Sequence, residues 1–265
     1  FSDADTWFDP ACVRATVALA NDRDLDMLSL LSTLEGERWF ERWVQPAAAF
    51  ELARQYPLLR VNMKGDRQRP FANGQFMLFK AEAYRDIGGH EAVKGAVLED
   101  IAFALKLKYT GKAGGLLMAD GILRCGMYGS WAEFVRGWKR IYTESANRET
   151  RRLKRYSVRV PVLNAVLPAM AVACLVLAVT MGDFATQVWG GAVGGAGFVA
   201  WVVGVGMMLR MSHAPLWQIP GFAIGSFFVG RIFRQAGKEL ADGTPTVWGG
   251  KSYVRPVADA DGGRS

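Results

Sequence analysis

Up to about residue 157 apolar and polar residues alternate in short, uneven runs; from there to about residue 230 charged residues almost vanish. The first regime predicts the strands and amphipathic helices of an α/β domain, and the second predicts helices in lipid. Residues 1–7 read as a short strand ending in a loop that carries Asp3 and Asp5, and Asp9-Pro10 opens a helix over residues 11–17. A strand and turn follow at residues 25–34. Residues 37–56 read as helix, with Trp39, Phe40, Trp43 and Phe50 as core packing. Asn73-Gly74 turns into an apolar strand through Phe79, and a helix over residues 81–87 is stopped by Gly88-Gly89. Apolar positions Ile101, Phe103, Ala104 and Leu107 recur at helical spacing, which places Glu99 and Asp100 in a first turn, where negative charge is favoured. Residues 114–128 form one or two strands turning at Asp120-Gly121. Ser130, three positions before Glu133, then starts an amphipathic helix with Phe134, Trp138, Ile141 and Tyr142 on one flank.

Residues 160–180 and 184–209 are each long enough to cross about 30 Å of hydrocarbon. Gly190, Gly191, Gly194 and Gly195 read as small residues that let two such helices approach. Residues 214–230, interrupted by Pro215 and Pro220, form a third span or an interfacial helix. Four segments are expected: an α/β domain over residues 1–130, a basic interface helix over 131–157, a membrane region over 158–235 and a cytoplasmic tail over 236–265.

Charge sharpens this division. The net charge is +7, and residues 136–159 hold nine Lys or Arg against Glu144 and Glu149, a belt suited to anionic headgroups. No nucleic-acid recognition motif accompanies it, so nucleic acid is not the expected partner. The belt places residues before 160 in the cytoplasm and Met181-Gly182-Asp183 on the far side of a cell (inner) membrane. Cys12, Cys125 and Cys174 are isolated and only two histidines occur, which argues against a disulfide framework and a Cys/His zinc site.

Two acidic motifs carry candidate chemistry. Asp3-Ala-Asp5 is able to hold a divalent cation from one side, leaving positions for diphosphate oxygens and water. A carboxylate of Glu99-Asp100 is able to act as general base toward a hydroxyl. Alone, each also fits a solvated turn or a helix cap; their order and surroundings point to a site. The run of Asp3-Ala-Asp5-Thr6, Asn73-Gly74-Gln75-Phe76-Met77, Ala83-Tyr84 to Gly88-Gly89-His90-Glu91, Leu98-Glu99-Asp100-Ile101 and Met127-Tyr128 before Gly137-Trp138 resembles the inverting glycosyltransferase family 2 of the GT-A fold, in its membrane-anchored, lipid-glycosylating branch.

The resemblance implies the C-terminal portion of a GT-A domain followed by transmembrane helices, with an earlier segment contacting base and ribose expected before Phe1. It also implies that Asp3 and Asp5 bind Mg²⁺ or Mn²⁺ and the donor diphosphate, and that Asp100 deprotonates the acceptor with Glu99 as its neighbour. Arg136 and Lys139 would reach the diphosphate, while Gly74, Gln75, His90 and Trp138 would line the acceptor site. Donor and acceptor would be a nucleotide sugar and a membrane lipid of carotenoid, isoprenoid or glycolipid type. Processive relatives carry an Arg-Trp pair on the interface helix; here a glycine separates Arg136 from Trp138, which argues against a polysaccharide synthase. A non-catalytic membrane scaffold is the other alternative. The tail, Val247-Trp248-Gly249-Gly250-Lys251-Ser252-Tyr253, is similar to a Trp-Lys-Gly-Arg-x-Tyr element of these enzymes and is expected to fold back on the cytoplasmic domain.

Overall fold

The computed structural model describes residues 1–181, 183–248 and 251–254. Its elements run β1 (Thr6–Phe8), α1 (Cys12–Asp22), β2 (Met27–Leu31), β3 (Thr33–Leu34), α2 (Trp39–Trp43), α3 (Gln45–Gln55), α4 (Leu58–Val61), β4 (Met77–Phe79) and α5 (Ala81–Asp86). Next come α6 (Glu99–Tyr109), β5 (Gly114–Met118), β6 (Leu123–Cys125), α7 (Trp131–Ser145), α8 (Thr150–Pro161), α9 (Leu167–Met181), α10 (Phe184–Met211), α11 (Ile219–Ala241), β7 (Thr246–Trp248) and β8 (Lys251–Tyr253). The chain divides into an α/β unit, Phe1–Gly36 with Leu52–Phe134, and a helical unit, Glu37–Glu51 with the chain from Val135.

The α/β unit has two small mixed sheets. In one, β2 pairs antiparallel with β4 and parallel with β5; in the other, β6 pairs antiparallel with β1 and parallel with β3. Strand β2 lies between two neighbours and reads Met-Leu-Ser-Leu-Leu, apolar but for the buried Ser29. Met27, Met77, Phe103 and Leu107 form one apolar cluster, and Cys12, Leu30, Phe76 and Leu123 form another. The turn after α5 needs glycine: Gly88 and Gly89 have φ of +82° and +53°, and a Cβ on Gly89 would meet the Tyr84 ring at 2.9 Å.

In the helical unit, residues 37–51 lie on the long helices. The predicted single helix is broken at Val44 into α2 and α3; Phe40 is buried, whereas Trp39 and Trp43 are largely exposed, against the expectation of core packing for both. Tyr142 of α7 stacks on Phe233 of α11 with centroids 3.8 Å apart and donates its hydroxyl to the Ala48 carbonyl at 3.1 Å. Glu51, almost fully buried, is paired with Arg159 of α8, whose guanidinium lies 4.3 Å from the Tyr156 ring centroid. A Cβ at Gly225 would overlap the Trp43 carbonyl oxygen, so α11 touches α2 backbone to backbone.

Three helices are long and apolar enough to cross a membrane, Thr150–Thr180, Gln187–Met211 and Leu216–Ala241, and they differ in cover. The most apolar window is 17% and 22% buried in the first two but 50% buried in the third, so α11 is the one clothed by protein. Helices α9 and α10 run antiparallel: Cβ atoms on Gly190 and Gly194 would meet Ala178 at 3.0 Å and the Ala171 carbonyl at 2.7 Å, whereas Gly191 and Gly195 face open space. Helix α11 instead runs antiparallel to α8, Gly230 against Ser157 and Pro161, Gly237 against Leu153, with Ile219 near Gly206 of α10. Strands β7 and β8 pair antiparallel; Gly249, Gly250, Gly182 and residues 255–265 lie outside the described residues.

Candidate active site

The acidic residues of the α/β unit are set by its strands. Ser2 bridges Phe76, and the Met77 N–H donates to the Phe1 carbonyl at 2.9 Å, so the first residues are edge strand. The chain then turns through Asp3 and Asp5 before β1, so both aspartates precede a strand as well as follow one. Asp3 is exposed. Asp5 is half-buried, and its Oδ1 is enclosed with no hydrogen-bond partner. Behind it stands Cys125, paired with Thr6 across β1–β6 and hydrogen-bonded to the Asp5 carboxylate. Burial, reinforced by the charges of Asp5 and Asp3, pushes the Cys125 thiol well above the ordinary thiol range and keeps it neutral.

Asp100 occupies the first turn of α6, as the periodicity predicts. Its Oδ2 accepts the Gly74 N–H at 2.9 Å and its Oδ1 accepts the Ile101 N–H at 2.8 Å. Two backbone donors at a helix N-terminus favour the charged carboxylate and fix its direction. A Cβ on Gly74 would lie 3.4 Å from Asp100 Oδ2, in ordinary contact with the carboxylate. Glu99 is exposed beside it.

The remaining expected site residues separate. Gln75 is buried, with Oε1 accepting from Ser32 and from Asn73 Nδ2 at 2.8 Å, and Nε2 donating to Cys125 Sγ at 3.2 Å. His90 is half-buried among Phe1, Tyr84 and Phe103; the Tyr84 oxygen accepts its backbone N–H at 3.0 Å and contacts Nδ1 at 2.6 Å, which makes Nδ1 the acceptor. Trp138 belongs to the helical unit, where it is buried against Tyr142. Placing Gln75 and Trp138 at an acceptor surface is therefore corrected: both side chains face the interior of their own unit. Arg136 is exposed, whereas Lys139 is paired with Glu239 of α11.

Sequence reasoning did not single out Ser29 and Ser32, and it gave Asn73 and Cys125 no role behind the acidic residues. Their signal was present as polar residues in an otherwise apolar strand and turn.

Over residues 1–211 the sequence matches the family described as Glycosyl transferase family group 2. The chain belongs to glycosyl transferase family 2. Sugar transfer is accordingly its general activity, on a mixed α/β domain joined to helices fit for a membrane. No curated protein and no solved structure matches the chain.

Among the described residues no group of three or more His, Cys, Asp or Glu is gathered to hold a metal unaided. A cation shared with a substrate makes a smaller demand. The enclosed, unpartnered Oδ1 of Asp5, next to the exposed Asp3, fits the protein's share of an ion whose other ligands are diphosphate oxygens and water.

Proposed function

We propose that this glycosyltransferase moves a sugar from a nucleoside-diphosphate donor to a hydroxyl or carboxyl of a membrane lipid, with inversion at the anomeric carbon. The observation that carries the reading is the Asp100 carboxylate, held by the Gly74 and Ile101 N–H groups at the start of α6. Held there, Asp100 takes the acceptor proton as the acceptor oxygen attacks and the bond to the diphosphate breaks, with no covalent intermediate. Glu99 adds negative charge beside it. Asp3 and Asp5 would hold Mg²⁺ or Mn²⁺, which when bound would supply positive charge for the diphosphate. Lys139 braces α7 on α11. His90 orders the loop after Gly89, beside the acceptor end.

The membrane region supports the lipid acceptor. Helices α9 and α10 cross and return, and α11 begins and ends on the side where α8 lies, because its C-terminal half packs along α8. We therefore assign two crossings of the inner membrane, an interfacial α11, and a cytoplasmic α/β domain and tail, in keeping with the basic residues of α8.

The test uses the full chain in sealed inside-out membrane vesicles with labelled UDP- and GDP-sugars. Label enters a small lipid, chelation abolishes transfer, protease removes the tail from the outer face of the vesicle, and Asp100→Asn lowers turnover about a thousandfold or more. Unchanged transfer by Asp100→Asn refutes the base assignment, and label in a long polymer refutes the acceptor class. A protected tail refutes the topology.

A further inference from the structure

The two acidic sites are far apart in sequence, yet one buried side chain is bonded toward both. Ser32 and Asn73 donate to Gln75 Oε1, Gln75 donates to Cys125 Sγ, and Cys125 is set beside Asp5 by the sheet, paired with Thr6 across β1–β6 while the next N–H, of Gly126, donates to the Asp5 carbonyl at 3.3 Å. The run has a single sense through the Gln75 amide and reaches the aspartate whose Oδ1 is enclosed without a partner. The amide orientation of Gln75 is fixed by this sense: turned over, its NH₂ would face two donors, Ser32 Oγ and Asn73 Nδ2.

The same side chain governs the other site through the backbone. Asn73 is tied on both sides, its N–H donating to Ser29 Oγ at 2.8 Å, its carbonyl accepting from Ser29 Oγ at 3.1 Å and its Nδ2 donating to the Leu30 carbonyl at 2.9 Å. Gly74 thus lies between two anchored residues, and its N–H holds Asp100 Oδ2. Gln75 also joins the two sheets, since Ser32 follows β2 and Cys125 is on β6. A buried amide bonded through both its oxygen and its nitrogen confines its neighbours closely, because a shift leaves a polar atom unpaired in a dry interior.

We propose that Gln75 is a positioning residue that fixes the Asp5 and Asp100 carboxylates relative to one another, touching neither acceptor nor donor. The proposal rests on the reading of Asp5 as cation ligand and Asp100 as base. Removing the amide lets the Gly74 N–H and the Cys125 thiol drift separately, so base placement and cation affinity decline together. Partners placed behind metal ligands commonly change affinity or activity by about 10–100-fold.

The test compares wild type, Gln75→Met, Gln75→Glu and Asp100→Asn as full chains in detergent, with Mn²⁺ binding alone followed by electron paramagnetic resonance, and turnover followed with labelled nucleotide sugars and membrane lipid extract. Gln75→Met binds Mn²⁺ about tenfold more weakly and loses about 10–100-fold in kcat per folded molecule, with the acceptor KM unchanged. Gln75→Glu keeps the acceptor oxygen and regains the donor only when protonated, so its Mn²⁺ affinity and its activity relative to wild type rise as pH falls. That recovery does not follow from a merely structural role, and Gln75→Glu carries the test if Gln75→Met fails to fold. A raised acceptor KM with unchanged kcat overturns the proposal in favour of acceptor binding, and a lowered melting temperature with unchanged kcat and Mn²⁺ affinity overturns it in favour of structure alone. An inactive Asp100→Asn beside an unaffected Gln75→Met defeats this inference only; an active Asp100→Asn defeats the reading beneath it.

Discussion

Gly74 in the α/β unit and Gly225 in the helical unit each lie against a neighbour, but a side chain at Gly74 would only touch a carboxylate whereas one at Gly225 would overlap backbone. Gly74 lets a backbone N–H reach the Asp100 carboxylate; Gly225 lets α11 reach the backbone of α2 at Trp43. The first close approach serves a polar contact of the proposed chemistry, and the second serves packing. The same division holds around them. The α/β unit threads Ser29, Ser32, Asn73, Gln75 and Cys125 through hydrogen bonds behind its acidic residues, whereas the helical unit relies on stacked rings and small residues. On the proposed reading, polar atoms in the first unit set catalysis, and steric fit in the second sets whether the helices assemble.

The strongest attempt to break this division is Gly225→Val. Its side chain has no room beside the Trp43 carbonyl, and the obstacle is backbone, which cannot rotate away. We expect a loss of about 3 kcal/mol or more, seen as a large fall in melting temperature or absence of folded protein in detergent. Chains that do fold should retain wild-type turnover. An unchanged melting temperature means that α11 does not pack on α2 as described.

Gly74→Ala is the matching change in the other unit and should do the reverse. Gly74 has no positive φ, and the added methyl meets Asp100 Oδ2 at 3.4 Å, an ordinary contact, so the fold tolerates it while an apolar group is set against one oxygen of the carboxylate. A methyl against the proposed base lowers kcat by at most about tenfold, with melting unchanged. Lowered melting with unchanged kcat would place Gly74 with the packing glycines and erase the contrast.

How much of this was legible beforehand follows from how local each feature is. The helix that presents Asp100 was readable because its apolar spacing and its acidic first turn lie within eleven residues. The Gly88-Gly89 stop and the turn at Asp120-Gly121 were readable because positive φ leaves its mark in the residue type. Gln75 was not, because its burial is decided by Ser32 and Cys125, 43 and 50 residues away, and a glutamine beside a glycine turn looks like a surface residue in any local window. Trp138 was assigned by motif, but its position on the flank with Phe134 and Tyr142 already marked a buried face. The apolar content of α11 suggested a span as readily as an interface helix, and its length and composition still fit a span.

The smallest expected effect concerns Cys125, the point where the α/β unit's polar network is closest to its charges. Burial and the neighbouring aspartates raise the thiol pKa in the folded protein, so the folded state holds this proton more tightly than the unfolded chain does. The resulting stabilisation is fully present below the ordinary thiol pKa of about 8.5 and is lost as pH rises above it. Cys125→Ser supplies a hydroxyl that accepts from Gln75 and donates to Asp5 without titrating in this range. Wild type and Cys125→Ser should therefore keep a constant difference in melting temperature up to about pH 8.5; above that, wild type should fall relative to the variant by at most about 1.4 kcal/mol per pH unit. The helical unit gives no reason for such a slope at this residue, so a difference that stays flat to pH 10 would show that the thiol is not buried and held neutral behind Asp5 as described.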